Sequence, residues 1–354
     1  MPCLEQMGHR SICACLMRIL GFVLLWSAAP FLALQAAAAD ARKPLPADIV
    51  WPPPPAEPRI AYVQSISNPA DAGIKGSGFR RFANWITGGQ EGNESLAHPF
   101  GLALDEEDNL CVTDTQANTV CFFDKAAKHA YRWEQIGSIR FASPVAVAKK
   151  GNALFVADSG LSAIIAFDLQ GKLLFCITEN LTRPSGLAIS GDRLLVADVG
   201  GHCIALFDLR GKFLGRFGTR GTGPGQFNFP THVTADSRGN IYVTDSVNNR
   251  VQVFDAKGNF ERQIGGPGDG PGMFSRPKGV AIDASGRAYV VDAVFQNFQI
   301  FDSASRLLLD IGRPGSGPGE FWLPNGVVLG RDNKIYVSDS YNSRVQVFKY
   351  VGKQ

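Results

Sequence analysis

The stretch IYVTDSVNNRVQVFD at residues 241–255 decides the fold, because it recurs almost unchanged as IYVSDSYNSRVQVF at residues 335–348. Each copy alternates apolar side chains on either side of a polar turn, which is typical of two short antiparallel strands. Asp245 and Asn248 suit the tight turn, since their side chains can hydrogen-bond local backbone groups. Arg250 can reach back to Asp245 across the hairpin. We therefore interpret these polar residues as structural.

The same frame recurs along most of the chain, marked by the aspartate that ends the first strand of each hairpin. These aspartates are Asp114, Asp158, Asp198, Asp245, Asp292 and Asp339. Their spacings are 44, 40, 47, 47 and 47 residues, and a period of this length is the signature of a repeat architecture. Because the aspartates persist while the surrounding loops change, we expect all of them to be structural.

Each unit contains four strand-like runs separated by turn residues. In the fourth unit these are THVTAD, NIYVTD, RVQVFD and FERQIG, and Gly/Pro-rich loops such as GTRGTGPGQFNFP connect the units. A four-stranded meander of this kind buries its faces only against neighbouring sheets. The sequence therefore predicts an all-β fold, a six-bladed β-propeller of four-stranded antiparallel blades.

The chain resembles the NHL-repeat family of six-bladed propellers over residues 58–354. The resemblance is carried by RPKGVAIDASGRAYVVDAVFQNFQIFD in the fifth unit and by LPNGVVLGRDNKIYVSDSYNSRVQVF in the sixth. It implies a propeller that serves as a binding platform, the main use of this family. Some related propellers are lyases that hold zinc with histidines near the central channel, so fold alone does not fix function.

The N-terminal region is predicted to precede the propeller. Residues 1–39 end in the apolar run ILGFVLLWSAAPFLALQAAAA after Arg18, which is typical of a secretory signal peptide. An uncleaved membrane helix is the alternative that the length of the run permits. Residues 40–58 contain WPPPPAEP and are predicted to form a stiff, extended linker that cannot join a sheet.

The sixth unit lacks a fourth strand, and RIAYVQSI within residues 59–67 is its predicted replacement. This N-terminal strand would close the ring and leave only short, protected edges. Residues 68–97 are a predicted insert before the six repeats at residues 98–354. Within the insert, residues 79–86 predict a short amphipathic helix that caps one mouth of the propeller. Contact of this helix with a membrane surface or a partner is the alternative.

Candidate binding residues fall on one face, where the loops between blades meet the turns between second and third strands. Aromatic and arginine side chains are enriched at binding hot spots. The predicted binding residues are Arg276, Lys278, Phe295, Trp322, Asn325 and Tyr341. Several of them have no matching residue type in most other copies, which favours a site added to the repeat. Phe227, Phe274 and Phe321 of the three GPGxF loops are instead predicted to wedge between blades.

A metal site is the main enzymatic alternative. His98, His202 and His232 are predicted to lie on this same face, and His232 replaces the glycine of the PxG element that opens most of the units. No local spacing such as HExxH joins them. We therefore predict no cofactor, with zinc or calcium held by these histidines as the alternative.

Four cysteines follow residue 39. Export would place them in an oxidising compartment, where disulfides persist. If the first hairpin pairs symmetrically about Gln116, Cys111 and Cys121 lie opposite each other on neighbouring strands. The sequence then predicts either a cross-strand disulfide or two buried free thiols.

Together these features predict an exported, periplasmic or extracellular propeller that acts as a non-catalytic monomer and binds an envelope protein or a small ligand. A metal-dependent lyase or lactonase-type enzyme is the alternative. The net charge of +3 is far from the basic excess of a polyanion-binding protein, so we predict no nucleic-acid partner.

Overall fold

The computed structural model describes residues 49–74 and 95–352 of the chain. Within them, six antiparallel sheets of at least four strands form the blades of a propeller. The predicted signal peptide at residues 1–39 and the predicted helix at residues 79–86 lie outside the described residues. Among the helices of the described ranges, none has the length and apolar character needed to cross a membrane.

The strands follow the chain blade by blade. The chain first forms β1 (Val50–Trp51) and β2 (Ile60–Ile66). Blade one contains β3 (Pro99–Leu104), β4 (Leu110–Asp114), β5 (Thr119–Asp124) and β6 (His129–Trp133). A small hairpin follows, made of β7 (Gln135–Ile136) and β8 (Ile139–Arg140). Blade two contains β9 (Pro144–Lys150), β10 (Ala153–Asp158), β11 (Ala163–Asp168) and β12 (Leu173–Ile177).

The second half of the chain repeats this order. Blade three contains β13 (Pro184–Ser190), β14 (Arg193–Asp198), β15 (Cys203–Asp208) and β16 (Phe213–Phe217). A short parallel pair follows, made of β17 (Thr219–Arg220) and β18 (Gln226–Phe227). Blade four contains β19 (Pro230–Ala235), β20 (Ile241–Asp245), β21 (Arg250–Phe254) and β22 (Phe260–Ile264). Blade five contains β23 (Pro277–Ile282), β24 (Ala288–Asp292), β25 (Asn297–Phe301) and β26 (Leu307–Ile311).

Blade six contains β27 (Pro324–Leu329), β28 (Lys334–Asp339) and β29 (Arg344–Tyr350). The short 3-10 helices are Ser246–Asn248, Arg331–Asn333 and Ser340–Asn342. The innermost strands β3, β9, β13, β19, β23 and β27 each contact the next, and β27 contacts β3. The described strands therefore close into a ring around a central channel.

The hairpin at residues 241–255 shows why the repeat folds as it does. Asp245 pairs with Arg250 at the turn, and the Arg250 Nε donates to the Asp245 Oδ2 at 3.0 Å. Val251 and Val253 are fully buried in one cluster with Val280 of the next blade. Because both faces of each middle strand contact a neighbouring blade, packing between blades supplies the core.

The GPGxF phenylalanines wedge between blades, as the sequence predicts. Phe227, Phe274 and Phe321 are each 0% exposed. Gly218 has a positive φ of +93°, and a Cβ atom there would lie 2.3 Å from the Phe227 ring. The glycine before each loop thus permits both the turn and the close approach of the ring.

The ring closes through the N-terminal strand, which confirms the predicted architecture. Strand β2 pairs antiparallel with β29, with Ile60 opposite Tyr350 and Ile66 opposite Val345. Ile60 is fully buried, and Ile66 is nearly so. Blade six is therefore built from both ends of the propeller.

One part of the predicted linker at residues 40–58 is instead part of blade six. Val50 and Trp51 form a strand that pairs with Ala61 and Ile60, and the Trp51 ring lies 5.8 Å from that of Phe348. The prolines themselves stay out of the ladder, as their missing N–H requires. The expectation that this segment stays out of the sheet fails for Val50 and Trp51, which add a fifth strand.

The two cysteines of the first hairpin do not face each other. Cys111 pairs with Phe122 and Cys121 with Val112, so the register differs by one residue from symmetry about Gln116. A shift of one residue places side chains on opposite faces of a sheet. All four described cysteines are free, and the disulfide prediction is wrong, while that of two buried thiols is confirmed.

Alkylation of denatured, unreduced protein should therefore label Cys111, Cys121, Cys176 and Cys203. Under native conditions Cys176, which is exposed, should react first. Burial raises the pKa of Cys121 to about 11 and also raises that of Cys111, so both should react slowly until the protein unfolds. Intact-mass analysis with and without reductant is the measurement. Two labels fewer without reductant would contradict the free-thiol structure.

Candidate functional site

The six repeated aspartates fix one face of the propeller, which we call the loop face. Each is 0% exposed. The Asp158 carboxylate accepts backbone N–H bonds from Ala142 and Ser143 before the inner strand, and from Gly160 and Leu161 in the turn. Corresponding bonds join Asp114 to Ala97. These carboxylates therefore tie each inter-blade loop to the second-to-third-strand turn beside it.

The inner strands approach each other closely where they begin on this face. A Cβ atom added at Gly101 would lie 2.6 Å from the Val145 carbonyl oxygen, and one at Gly279 would lie 2.6 Å from that of Asn325. Glycine at this position lets neighbouring blades meet. The residues just before it mark the mouth of the channel: Phe100, Val145, Ser185, Thr231, Lys278 and Asn325.

A cavity of about 400 Å³ opens at this mouth, and we call it the mouth cavity. Its polar lining consists of Ser143, Ser159, Arg183, Ser185, Thr231, His232 and Lys278. None of the described residues that line it is an aspartate or glutamate. A second cavity of about 310 Å³ follows the inner strands along the channel. The mouth cavity thus combines positive charge with hydroxyl groups.

Burial and nearby positive charge lower the pKa values of two side chains in this cavity, Lys278 and His232. Burial lowers the pKa of Lys278, and the positive charge of Arg276 lowers it further. Burial, and then the charge of Lys278, lower the pKa of His232 to about 3. His232 is therefore neutral at physiological pH, and Lys278 is a partly buried cation beside it.

Several polar atoms at the mouth have no hydrogen-bond partner within the described part of the chain. They are the Thr231 Oγ1, the His232 Nδ1 and the Asn325 Oδ1, all buried. Buried polar groups are nearly always hydrogen-bonded in proteins. The Ser185 and Ser159 hydroxyls, by contrast, donate to backbone carbonyls. The unsatisfied atoms are consistent with a site that a ligand or water completes.

A pair of exposed aromatic side chains lies on the same face, where blade six meets blade one. Trp322 and Tyr341 are 53% and 51% exposed, and their rings lie 5.7 Å apart. The Tyr341 ring also meets the His98 ring edge-on at 4.4 Å. We call these three residues the aromatic rim.

The predicted binding residues separate into two groups. Lys278 lines the mouth cavity, and Asn325 occupies the corresponding position of blade six. Trp322 and Tyr341 form the aromatic rim. Arg276 and Phe295 lie in loops bound to Asp292, and the Arg276 side chain is exposed.

The three candidate metal ligands occupy separate surroundings. His98 belongs to the aromatic rim, and its Nδ1 lies 3.1 Å from the Thr115 hydroxyl; burial lowers its pKa, against the charge of Asp114. The His202 Nδ1 accepts the Phe229 N–H at 3.4 Å. His232 lines the mouth cavity. Residues 49–74 and 95–352 contain no group of three or more His, Cys, Asp or Glu side chains suited to a metal ion.

Three lining residues of the mouth cavity, Arg183, Ser143 and Thr231, are not among the binding residues predicted from the sequence. In the sequence, the cavity is indicated by the position before the PxG glycine, because the side chain there differs in every blade. Reading that column across the repeats finds Thr231 as well as Lys278.

Six blades of at least four strands, arranged around a channel with a polar mouth, define a six-bladed β-propeller with a candidate binding face. A family model described as a 6-bladed beta-propeller matches residues 234–294. The NHL repeat model matches residues 181–207 and 321–348. The chain is thus a six-bladed β-propeller that contains NHL repeats. No curated protein matches the sequence.

Solved structures show the same fold at low identity. A catalytically inactive virginiamycin B lyase from Staphylococcus aureus with quinupristin is 10% identical, with a TM-score of 0.54, over 72% of this chain and 95% of that one. A Bacteroides thetaiotaomicron protein of unknown function is 14% identical, with a TM-score of 0.55, over 72% and 70%. Kuenenia stuttgartiensis hydrazine synthase is 15% identical, with a TM-score of 0.53, over 73% and 97%. These likenesses establish the fold alone.

Proposed function

We propose that this protein is an exported, monomeric propeller that acts as a non-catalytic platform and binds a protein or small ligand of the cell envelope through its loop face. The observation that carries the proposal is the aromatic rim. Trp322 and Tyr341 are each about half exposed and in contact with each other. Trp and Tyr provide large, rigid contact area and are enriched at binding hot spots.

The distribution of exposed apolar side chains supports the same face. Of the twelve exposed large hydrophobic residues in the described ranges, seven lie in loops or turns of the loop face. They are Leu161, Phe229, Val247, Met273, Val294, Trp322 and Tyr341. The other five are scattered over outer strands and the chain end. Clustered apolar exposure marks interaction surfaces more than scattered exposure does.

A double variant with W322A and Y341A should lose most of its binding to envelope components. Truncation of a hot-spot aromatic residue to alanine costs about 2 kcal/mol or more of binding free energy. The measurement is a quantitative pull-down from envelope extract with tagged wild-type and variant proteins. The matched control is the L174A and L214A double variant, which removes exposed apolar side chains from outer strands. Equal recovery of the same species by all three proteins would contradict the proposal.

A metal-dependent lyase or lactonase-type enzyme is the competing function. One observation favours it: His232 lines the mouth cavity with an unpartnered Nδ1, and neutral imidazole nitrogen is a common metal ligand. Metal content of the purified protein discriminates between the two functions. Stoichiometric zinc or calcium that is lost in H232A would favour the enzyme and count against the platform.

A further inference from the structure

The mouth cavity holds a partly buried positive charge, that of Lys278, which has no partner among the described residues. Lys278 lines it, and no described hydrogen bond or ion pair involves its ammonium group. Lys149, on an inner strand of blade two, shows the usual solution: its Nζ lies 3.6 Å from the Asp105 carboxylate, with both side chains 4% exposed. A buried charge is costly unless a partner neutralises it.

The surroundings of Lys278 add positive charge and donors without adding an acceptor carboxylate. Arg183 lines the same cavity, and Arg276 is close enough for its charge to act on Lys278. Among the described residues the Thr231 hydroxyl is buried and has no hydrogen-bond partner, and Ser143 lines the same cavity. Such a set of cationic and hydroxyl donors matches the acceptor oxygens of an oxyanion.

The volume of the cavity sets the size of the ligand. About 400 Å³ lies at the lower end of the range of small-molecule pockets, about 300–1,000 Å³. Five of the six residues that mark the mouth line the cavity, so its walls come from the propeller's own inner strands. A compact ligand fits this space better than an extended polymer.

We propose that the mouth cavity binds a small oxyanion, a carboxylate or a phosphate group, with Lys278 as its central cationic donor and Arg183 and Thr231 as further donors. The inference deepens the proposed binding role by giving the charge and size of a ligand. The proposed oxyanion site lies in the mouth cavity, whereas the proposed platform surface is the aromatic rim. The two can therefore fail separately.

Isothermal titration calorimetry of the full chain with inorganic phosphate and with succinate, at low ionic strength, tests the proposal. We expect saturable binding of at least one of these probes with a dissociation constant of about 1 mM or tighter. K278M, which keeps an unbranched side chain of nearly the same length and removes the charge, should weaken binding by about 10-fold or more. R183Q should weaken it as well.

The matched control is K257M, which makes the same charge change in an exposed turn on the opposite face. It should bind like wild type, since the charge is remote and screened. Binding of phosphate alone would identify a phosphate-bearing ligand, and binding of succinate alone a carboxylate. If K278M does not melt like wild type, R183Q carries the test.

Absence of saturable binding by both probes would overturn the proposal, and so would unchanged affinity in folded K278M or equal weakening in K257M. Loss of envelope binding in the W322A and Y341A variant with intact oxyanion binding would leave both proposals standing. Loss of oxyanion binding in K278M with no effect of the rim variant would support the anion site and contradict the platform surface.

Discussion

A protein that begins at residue 68 should melt far below one that begins at residue 48, because it lacks both strands that complete blade six. Strand β2 pairs with β29 at six positions from Ile60 to Ile66. Removing it exposes the edge of β29 and the apolar cluster beneath it. Such an edge is also a template for aggregation.

The expected loss is a large share of the stability of the fold. Each backbone hydrogen bond contributes about 0.5–1.5 kcal/mol net. Burial of a side chain such as Ile60, which is 0% exposed, adds roughly 1.5–3 kcal/mol. The total is several kcal/mol, against a free energy of unfolding of about 5–15 kcal/mol for a typical domain.

A protein that begins at residue 59 should have a melting temperature between those of the proteins that begin at residues 48 and 68. It keeps β2 but loses β1 and with it Trp51, which packs on Phe348 and fills the space beside Gly319. Thermal and urea unfolding followed by circular dichroism measure all three proteins. Equal melting of the proteins that begin at residues 48 and 68 would show that β2 does not close the ring.

A point substitution makes the same test without shortening the chain. I60A should cost about 2–5 kcal/mol, as is usual for a large-to-small change in a core. V63A on the same strand is the control, because Val63 is 38% exposed. Similar losses in the two variants would contradict the packing of β2.

The fold was predictable because the sequence repeats. Alternating apolar residues identify each strand, and the recurring aspartate sets the register of every hairpin in relation to its neighbours. The closing strand could be found because β29 lacks a partner and RIAYVQSI alternates in the same way. Strand β1 could not be found, since Val50 and Trp51 are too few to show a period and stand beside prolines.

The site was predictable only in part, because its geometry depends on the register and on which small residues line a cavity. The cysteine register shows the sensitivity: one residue of shift separates Cys111 from Cys121. Lys278, Trp322 and Tyr341 are predictable from the sequence, because they differ from the residues at the same position of most other repeats. The Ser143 and Thr231 hydroxyls are ordinary residues whose role depends on where the inner strands bring them.

Replacing Asp339 with Asn should destabilise the protein by about 3–5 kcal/mol, as is typical when one partner of a buried ion pair is removed. Asp339 is 0% exposed. Its Oδ2 accepts hydrogen bonds from the Arg344 Nε at 2.8 Å, the Asn342 Nδ2 at 2.9 Å and the Gln346 Nε2 at 3.0 Å. Its Oδ1 accepts the Trp322 N–H at 2.8 Å.

An asparagine fits this space but not these donors. In one orientation its NH₂ group faces Arg344, Asn342 and Gln346, and in the other it faces the Trp322 N–H, so a donor always meets a donor. The Arg344 guanidinium would also lose its counter-charge while its Nη2 stays bonded to the Gly317 and Glu320 carbonyls. The inter-blade loop that carries Trp322 should loosen with it.

A double-mutant cycle isolates the pair. D339N and R344M should each lower the free energy of unfolding, and the double variant should lose less than the sum of the two, with a coupling of about 0.5–3 kcal/mol. D302N is the matched control, because Asp302 pairs with Arg306 at 2.7 Å on an exposed turn where solvent screens the charges. The midpoint of urea unfolding of D302N should differ little from that of the wild type. Additive losses in the cycle, or an equal shift in D302N, would show that the buried pair does not hold the loop face together.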